Sequence, residues 1–302
     1  MTDDPVLEVD LAGIRLRNPV GLAAGFDKSC RVLTALSQIG FGYLVGGTVT
    51  RARRKGNPKP RIARKQETGS IVNAMGLPNR GAAYAARRLR ETQGRRAPTL
   101  ISLADEAVDD VVANFELLES VADGFELNVS CPNVSWGRDR DNEGHLRRLL
   151  TELVSRKRKP LFVKVPPYRT PPERDAVLAV VEISQERGAD GLTCSNTYPV
   201  RDARLKVGAG GLSGRELFDD TLRIVADVRR VTGGAMPINA CGGVFTGDDA
   251  LACIEAGATT IQVYTGFIYE GPRIVRDITA GLAAALKERG VKLSSVVGAA
   301  TS

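Results

Sequence analysis

Eight short apolar runs, each followed by a stretch of helical periodicity, constrain this chain more than anything else in it. The runs lie at 20–24, 43–47, 99–103, 124–129, 161–165, 191–195, 236–240 and 260–264. The helical patterns lie at 31–39, 81–90, 108–120, 146–156, 175–187, 217–232, 247–256 and 272–289. Strands that alternate with helices build βαβ units and a parallel sheet. Runs this continuously apolar are covered on both faces. Eight units predict an α/β fold closed as a (β/α)8 TIM barrel rather than an open, doubly wound sheet. With 302 residues the chain suits one domain spanning 1–302. Ahead of the first run, Leu7-Glu8-Val9-Asp10-Leu11 and Ile14-Arg15-Leu16 alternate about Ala12-Gly13, the period of a β-hairpin. Such an N-terminal hairpin is expected to plug the bottom of the barrel.

Composition removes several function classes. No apolar run approaches the roughly 18–20 residues of a membrane span, so no integral membrane segment is expected. The N-terminus is acidic and lacks the apolar core of a signal peptide, which points to a cytoplasmic protein. The net charge is +7, concentrated at Arg51-Ala52-Arg53-Arg54-Lys55, Arg87-Arg88-Leu89-Arg90, Arg95-Arg96 and Arg156-Lys157-Arg158-Lys159. Aromatic residues make up only 5% and no nucleic-acid module is recognisable, so these runs read as solvated helix ends rather than a nucleic-acid surface. Five cysteines without C-x-x-C spacing and a single histidine, His145, argue against a zinc site.

In a barrel of this kind the chemistry sits at the C-terminal ends of the strands. The first strand leads into Ala23-Ala24-Gly25-Phe26-Asp27-Lys28, and the second into Gly46-Gly47-Thr48-Val49-Thr50. Both have small residues that let a ligand approach the backbone. Asn73-Ala74-Met75-Gly76-Leu77-Pro78-Asn79 brackets an apolar stretch with amides. The fourth strand ends in the densest polar cluster, Asn128-Val129-Ser130-Cys131-Pro132-Asn133. Its amides offer donors and acceptors to a planar polar ring. Its thiol can serve as a general base if its surroundings lower the pKa. Lys164 closes the otherwise apolar fifth strand. An unpaired charge there costs several kcal/mol, on the order of the burial penalty for an ion, so Lys164 must meet an anion. A ligand or cofactor is the expected partner. The sixth strand ends Thr193-Cys194-Ser195-Asn196-Thr197. The glycine-rich runs 208–214, 240–244 and 262–266 come late in the chain and read as turns feeding helix N-termini, where barrels grip phosphate. Residue chemistry alone leaves open whether that phosphate belongs to a cofactor or to the substrate of a non-redox enzyme.

Taken together, these pieces resemble the dihydroorotate dehydrogenase family from Asn18 to about Gly290. The resemblance rests on Asn18-Pro19-Val20-Gly21-Leu22, residues 23–28, 47–50, 56–61, 73–79 and 128–133, Gly210-Gly211-Leu212-Ser213-Gly214, Gly242-Gly243 and Tyr264-Thr265, in that order. It implies an FMN flavoprotein of pyrimidine biosynthesis that oxidises dihydroorotate to orotate. Ala24, Gly25, Thr48, Asn128, Lys164 and Ser195 would then line the flavin. Gly214, Gly242, Gly243, Tyr264 and Thr265 would hold its phosphate and ribityl chain. Lys28, Asn73, Met75, Gly76, Leu77, Asn128, Asn133, Asn196 and Thr197 would surround orotate. Cys131 occupies the catalytic-base position, and Lys164 would stabilise negative charge on the reduced ring. The resemblance leaves a relative acting on another dihydropyrimidine as the alternative.

Two classes of that family are mixed here. Cys131 and residues 73–79 are similar to the soluble class. Residues 24–28, 47–50 and 57–61 are similar to the membrane-associated class, whose base is serine. The soluble class carries its active-site lysine near the end of the second strand, where this chain has Val45 and Gly46, and Lys28 is expected to replace it. With seventeen residues ahead of Asn18, the helical extension of the membrane-associated class is expected to be absent. Val134-Ser135-Trp136-Gly137 departs from the family's proline-glycine at the active-site lid. The resemblance further implies a homodimer and an electron acceptor drawn from fumarate, a quinone, or a nicotinamide reached through an electron-transfer partner subunit.

Overall fold

The computed structural model describes residues 4–91, 94–129 and 142–301. In chain order the strands are β1 (Val9–Leu11), β2 (Ile14–Leu16), β3 (Val20–Leu22), β4 (Tyr43–Val49), β5 (Ile62–Lys65), β6 (Ser70–Asn73) and β7 (Thr99–Leu103). They continue with β8 (Gly124–Asn128), β9 (Leu161–Val165), β10 (Gly191–Cys194), β11 (Tyr198–Arg201), β12 (Ala209–Gly214), β13 (Ile238–Cys241) and β14 (Thr260–Val263). The helices are α1 (Leu33–Leu36), α2 (Ala82–Glu91), α3 (Val108–Glu119), α4 (Asn142–Arg156), α5 (Pro171–Glu186), α6 (Phe218–Val231), α7 (Gly247–Glu255), α8 (Thr265–Glu270), α9 (Arg273–Glu288) and α10 (Leu293–Val296).

All eight apolar runs become barrel strands. β3, β4, β7, β8, β9, β10, β13 and β14 close into one parallel barrel. The seventh starts two residues later than its apolar run because Pro237 has no N–H to give the ladder. Its carbonyl still accepts from Leu192. The proline-rich run 166–172 is only partly a loop. Pro171 and Pro172 form the first turn of α5, where a missing N–H costs nothing, and Thr170 and Glu173 make a reciprocal capping box.

The period-2 alternation at the N-terminus forms the expected hairpin, with Val9 paired to Leu16 and Leu11 to Ile14. Ala12 and Gly13 both have positive φ, as a two-residue turn of the primed type requires. Leu11 and Leu16 are buried against Tyr43, Val45, Leu100 and Phe162, which lie toward the N-terminal ends of their strands. This apolar cluster seals the bottom of the barrel and leaves the opposite end for chemistry.

One sheet escapes the sequence reading. β11, β12, β6 and β5 form a four-stranded antiparallel sheet above the barrel mouth. The run 208–214 is therefore a strand and not a turn opening directly into a helix. Its glycines answer to crowding: a Cβ at Gly211 would lie 1.9 Å from Thr197 Oγ1, and one at Gly210 would lie 2.6 Å from the Asn73 carbonyl oxygen.

The basic runs are absorbed into the outer shell. Arg54 pairs with Asp105 at 3.2 Å, Arg156 with Glu116 at 3.2 Å and Arg158 with Glu119 at 2.6 Å. Where both partners are exposed, as for Arg156 and Glu116, such a pair contributes roughly 0–1 kcal/mol. A tighter node joins α5 to α6. Asp227 accepts from Tyr168 Oη (2.7 Å), Arg174 Nε (2.8 Å) and Arg230 Nη1 (2.6 Å). Burial works against the Asp227 carboxylate, but Arg174, Tyr168 and Arg230 outweigh it and lower its pKa to about 2.

Two outcomes follow. Leu16→Ala should destabilise the chain by about 2–5 kcal/mol in denaturant unfolding, the usual cost of a core Leu→Ala change. Asp227 is depressed in the fold, so its stabilisation is complete above the ordinary carboxylate range and is lost as pH falls from about 4 to about 2. Asp227→Asn should therefore lower stability at neutral pH by roughly 2 kcal/mol and flatten the acid limb over that window.

Candidate active site

The mouth of the barrel gathers side chains from the ends of its strands. The loop after β3 folds over β4: Gly25 N donates to the Gly47 carbonyl (2.7 Å) and Gly47 N to the Asp27 carbonyl (3.0 Å). Lys28 Nζ turns back to the Gly25 carbonyl, which also accepts from Tyr264 Oη at 3.3 Å. Gly25, Lys28 and Tyr264 are thus brought together from the first and last strands. Ala24 packs at the edge of the barrel's inner apolar cluster.

A chain of polar side chains crosses the mouth. Thr48 Oγ1 and Ser102 Oγ share a hydrogen bond of 3.0 Å, and Asn128 Nδ2 donates to Thr48 Oγ1 at 3.3 Å. Asn196 Nδ2 donates to Asn128 Oδ1 at 3.5 Å, and Thr197 N to Asn196 Oδ1 at 2.9 Å. Ser195 is buried, and its N–H donates to the Cys241 carbonyl at 2.9 Å, tying β10 to β13. Thr48, Asn128, Ser195, Asn196 and Thr197 therefore share one surface. Asn73 joins it from β6, donating to the Gly211 carbonyl at 3.4 Å.

Met75, Gly76 and Leu77 are held by a neighbouring loop. Asn57 N donates to the Met75 carbonyl at 3.0 Å and Asn57 Nδ2 to the Ala74 carbonyl at 3.1 Å. Gly76 lies so close that a Cβ would stand 2.7 Å from Asn57 N. Asn79 anchors the far end, donating to Thr50 Oγ1 and the Leu77 carbonyl and accepting from Gly81 N. The same loop carries Arg61, which the sequence reading quoted within a motif without assigning it a role. Lys28 is pushed down to about 8, by burial first and then by the Arg61 charge, with Asp27 opposing. The two cations together make a well for a carboxylate.

The late glycines fall into two packed groups. Gly214 ends β12 at a φ of +103°, against Gly69, Ser70 and Thr265. Thr265 Oγ1 donates to Ser213 Oγ at 2.9 Å. Gly242 and Gly243 follow β13 and sit on the start of α6. A Cβ at Gly242 would lie 2.4 Å from Thr221 Oγ1, and one at Gly243 would lie 2.7 Å from Phe218 N. The Thr221 hydroxyl is buried with no hydrogen-bond partner.

Lys164 is 4% exposed and projects into the barrel. Within the chain an anion is already fixed beside it: Glu126, whose Oε1 lies 3.7 Å from Nζ. The charge of Glu126 within an apolar strand is the same signal that marked Lys164, and it was missed. Cys241 Sγ accepts from Lys164 Nζ at 3.8 Å. Burial lowers the Lys164 pKa, but Cys241 and Glu126 beside it reverse that and raise it, so the side chain is an ammonium. Cys131 and Asn133, with the lid residues 134–137, lie outside the described residues.

Known proteins resemble this chain along nearly its whole length. Residues 6–286 match the family model described as dihydroorotate dehydrogenase. A protein of Roseiflexus sp. (strain RS-1) named dihydroorotate dehydrogenase (quinone) is 38% identical over 98% of this chain and 86% of its own length. One of that name from Salinispora arenicola is 40% identical over 89% of this chain and 82% of its own. A crystal structure of the Eimeria tenella enzyme DHODH in complex with ferulenol superposes with a TM-score of 0.87 at 31% identity, covering 98% of this chain and 89% of that one. A ligand-free structure of that enzyme gives a TM-score of 0.88, covering 98% and 92%. By this match along nearly its whole length, the chain belongs to the dihydroorotate dehydrogenase family of flavin-dependent oxidoreductases.

Proposed function

We propose that this chain oxidises dihydroorotate to orotate in de novo pyrimidine biosynthesis, with FMN as its cofactor and Cys131 as general base. The observation that carries this reading is the joined run Thr48, Asn128, Asn196 and Thr197 at the barrel mouth, flanked by the half-buried Lys28 and the buried Lys164, in a chain of this family. A planar pyrimidine with a carboxylate needs such a set: amides for the ring edge and a cation for the acid group.

The residues present fit FMN. Gly25, Thr48, Asn128, Ser195 and Lys164 offer a small-walled polar seat for the ring, with Ala24 beside them. Gly214 and Thr265, with Tyr264, and Gly242 and Gly243 beside the buried, unpartnered Thr221 hydroxyl, would hold the phosphate and ribityl chain. When bound, FMN supplies the acceptor for the hydride that leaves C6 of dihydroorotate. Cys131 removes the proton from C5, so that the C5–C6 double bond of orotate forms as both hydrogens depart. An unperturbed thiol pKa near 8.5 suits a base working around neutrality far better than a hydroxyl does. Lys28, backed by Arg61, holds the carboxylate. Asn73, Asn128, Asn133 and Asn196 orient the ring, with Met75, Gly76, Leu77 and Thr197 around it.

A quinone is the acceptor favoured here, on the names of the curated relatives. No helix among the described residues is long and apolar enough to cross a membrane. A homodimer working in the cytoplasm belongs to the same proposal. The four described cysteines, all free thiols, suit a reducing compartment.

The decisive experiment is anaerobic addition of dihydroorotate to the purified protein, watched at the flavin band. Bleaching is expected, followed by recovery on adding a short-chain quinone. A colourless protein, or a flavin that dihydroorotate leaves oxidised, overturns the reading, and recovery only with fumarate overturns the acceptor. Cys131→Ala should lose on the order of 100-fold or more in turnover while keeping its flavin. Orotate should bind most tightly with Lys28 protonated, so its affinity should fall as pH rises through about 8. Isothermal titration across that range should show the loss in the wild-type chain and a weak, pH-independent affinity in Lys28→Met.

A further inference from the structure

Beneath Lys164 lies a buried polar network that the chemistry above does not use. Glu126 is fully buried in the barrel interior. Its Oε2 accepts from Thr193 Oγ1 at 3.0 Å and from Gln262 Nε2 at 3.2 Å. Its Oε1 is buried, makes no hydrogen bond, and is the atom that faces Lys164 Nζ at 3.7 Å. Register fixes the depth of each group. Lys164 stands level with Asn128 and Thr193, whereas Glu126 stands level with Phe162, one inward-facing layer toward the plugged end. The lysine therefore has its carboxylate below it and the mouth above it.

A purely structural ion pair would close to the 2.7–2.9 Å of a charge-assisted hydrogen bond. This one stays open, with Oε2 held by two neutral donors and Oε1 left as a charge without a direct donor. Cys241 Sγ, 3.8 Å from Nζ, also supports the charge, as an acceptor whose own pKa burial raises. Among the described residues, Glu126 is the one carboxylate within 4.0 Å of Lys164 Nζ. Without it, an ammonium this deeply buried would lose its proton readily.

We propose that Glu126 is a positioning residue for the flavin reaction: it fixes the Lys164 ammonium from below and keeps it protonated, so that the lysine meets the flavin as a permanent, partly compensated cation. The inference rests on the flavin reading and goes beyond it by assigning the control of that charge to a residue that touches neither substrate nor cofactor. In the wild-type chain Lys164 then keeps its proton whether the flavin is oxidised or reduced. With Glu126 neutralised, Lys164 loses its proton in the oxidised protein as pH rises and regains it on reduction, which couples one further proton to the two-electron step.

The test is the midpoint potential of the FMN-loaded protein, measured by dye-coupled reduction from about pH 6 to about pH 9, a range that spans a displaced lysine pKa. Glu126→Gln should make the potential fall more steeply with pH than in the wild type, and Glu126→Asp should restore the wild-type slope. Added to Lys164→Met, Glu126→Gln should change the slope no further. A wild-type slope in FMN-loaded Glu126→Gln, or an equal change without Lys164, overturns the role. If Glu126→Gln alone does not fold, the melting temperatures decide. The double variant should melt above Lys164→Met, which strands a buried carboxylate, and a lower melting point overturns the pairing. A wild-type chain that takes up no FMN overturns the flavin reading itself, a result distinct from uptake with an unchanged slope.

Discussion

A charge inside a closed barrel cannot be left to itself, and much of this molecule is arranged around that constraint. Lys164 and Glu126 project inward from adjacent strands, β9 and β8, where water does not reach. Each would be costly alone. Around them the interior is polar where most barrel interiors are branched and apolar. Tyr43 Oη shares a hydrogen bond with Thr260 Oγ1, which donates to Asn239 Oδ1. Asn239 donates to Thr193, and Thr193 to Glu126. This line of hydroxyls and amides runs from the foot of the barrel to the charged pair. It makes the core a scaffold for charge as well as for shape.

The mouth is built on the same floor. Asn128 pairs in register with Lys164, and Asn196 reaches Asn128 from β10. The amides that would read a pyrimidine edge and the cation that would serve the flavin therefore hang on neighbouring strands. Rigid strand ends also explain how a site with so many small residues keeps its form: the glycines carry backbone contacts, while Asn128 and Lys164 come from paired residues.

The barrel was legible because its strands are buried on both faces and so read as unbroken apolar runs. The hairpin was legible for the opposite reason, since one face only is covered. The antiparallel sheet over the mouth was not. β5 and β6 are four residues each, and β12 is filled with glycines that make room for Thr197 and Asn73. Neither length nor β-propensity marks such strands. In the site, Lys164 stood out as a charge in an apolar run. Glu126 carries the same mark, but in Glu126-Leu127-Asn128 it merges with the polar cluster beyond the strand. Arg61 acts on Lys28 across a loop that no local pattern brings together. Cys131 and Asn133 rest on the sequence and the resemblance alone.

The hairpin at the foot of the barrel has a consequence for protons. Leu11 and Leu16 close the floor directly beneath Tyr43, whose phenol is pushed well above its usual pKa by burial and so keeps its proton. The hydrogen-bonded line therefore ends at a stopper instead of opening to solvent. A proton that enters or leaves the Glu126–Lys164 pair therefore does not come through the floor. The plug that completes the fold is thus also an insulating base, and the charge state of the core answers to the other end of the barrel.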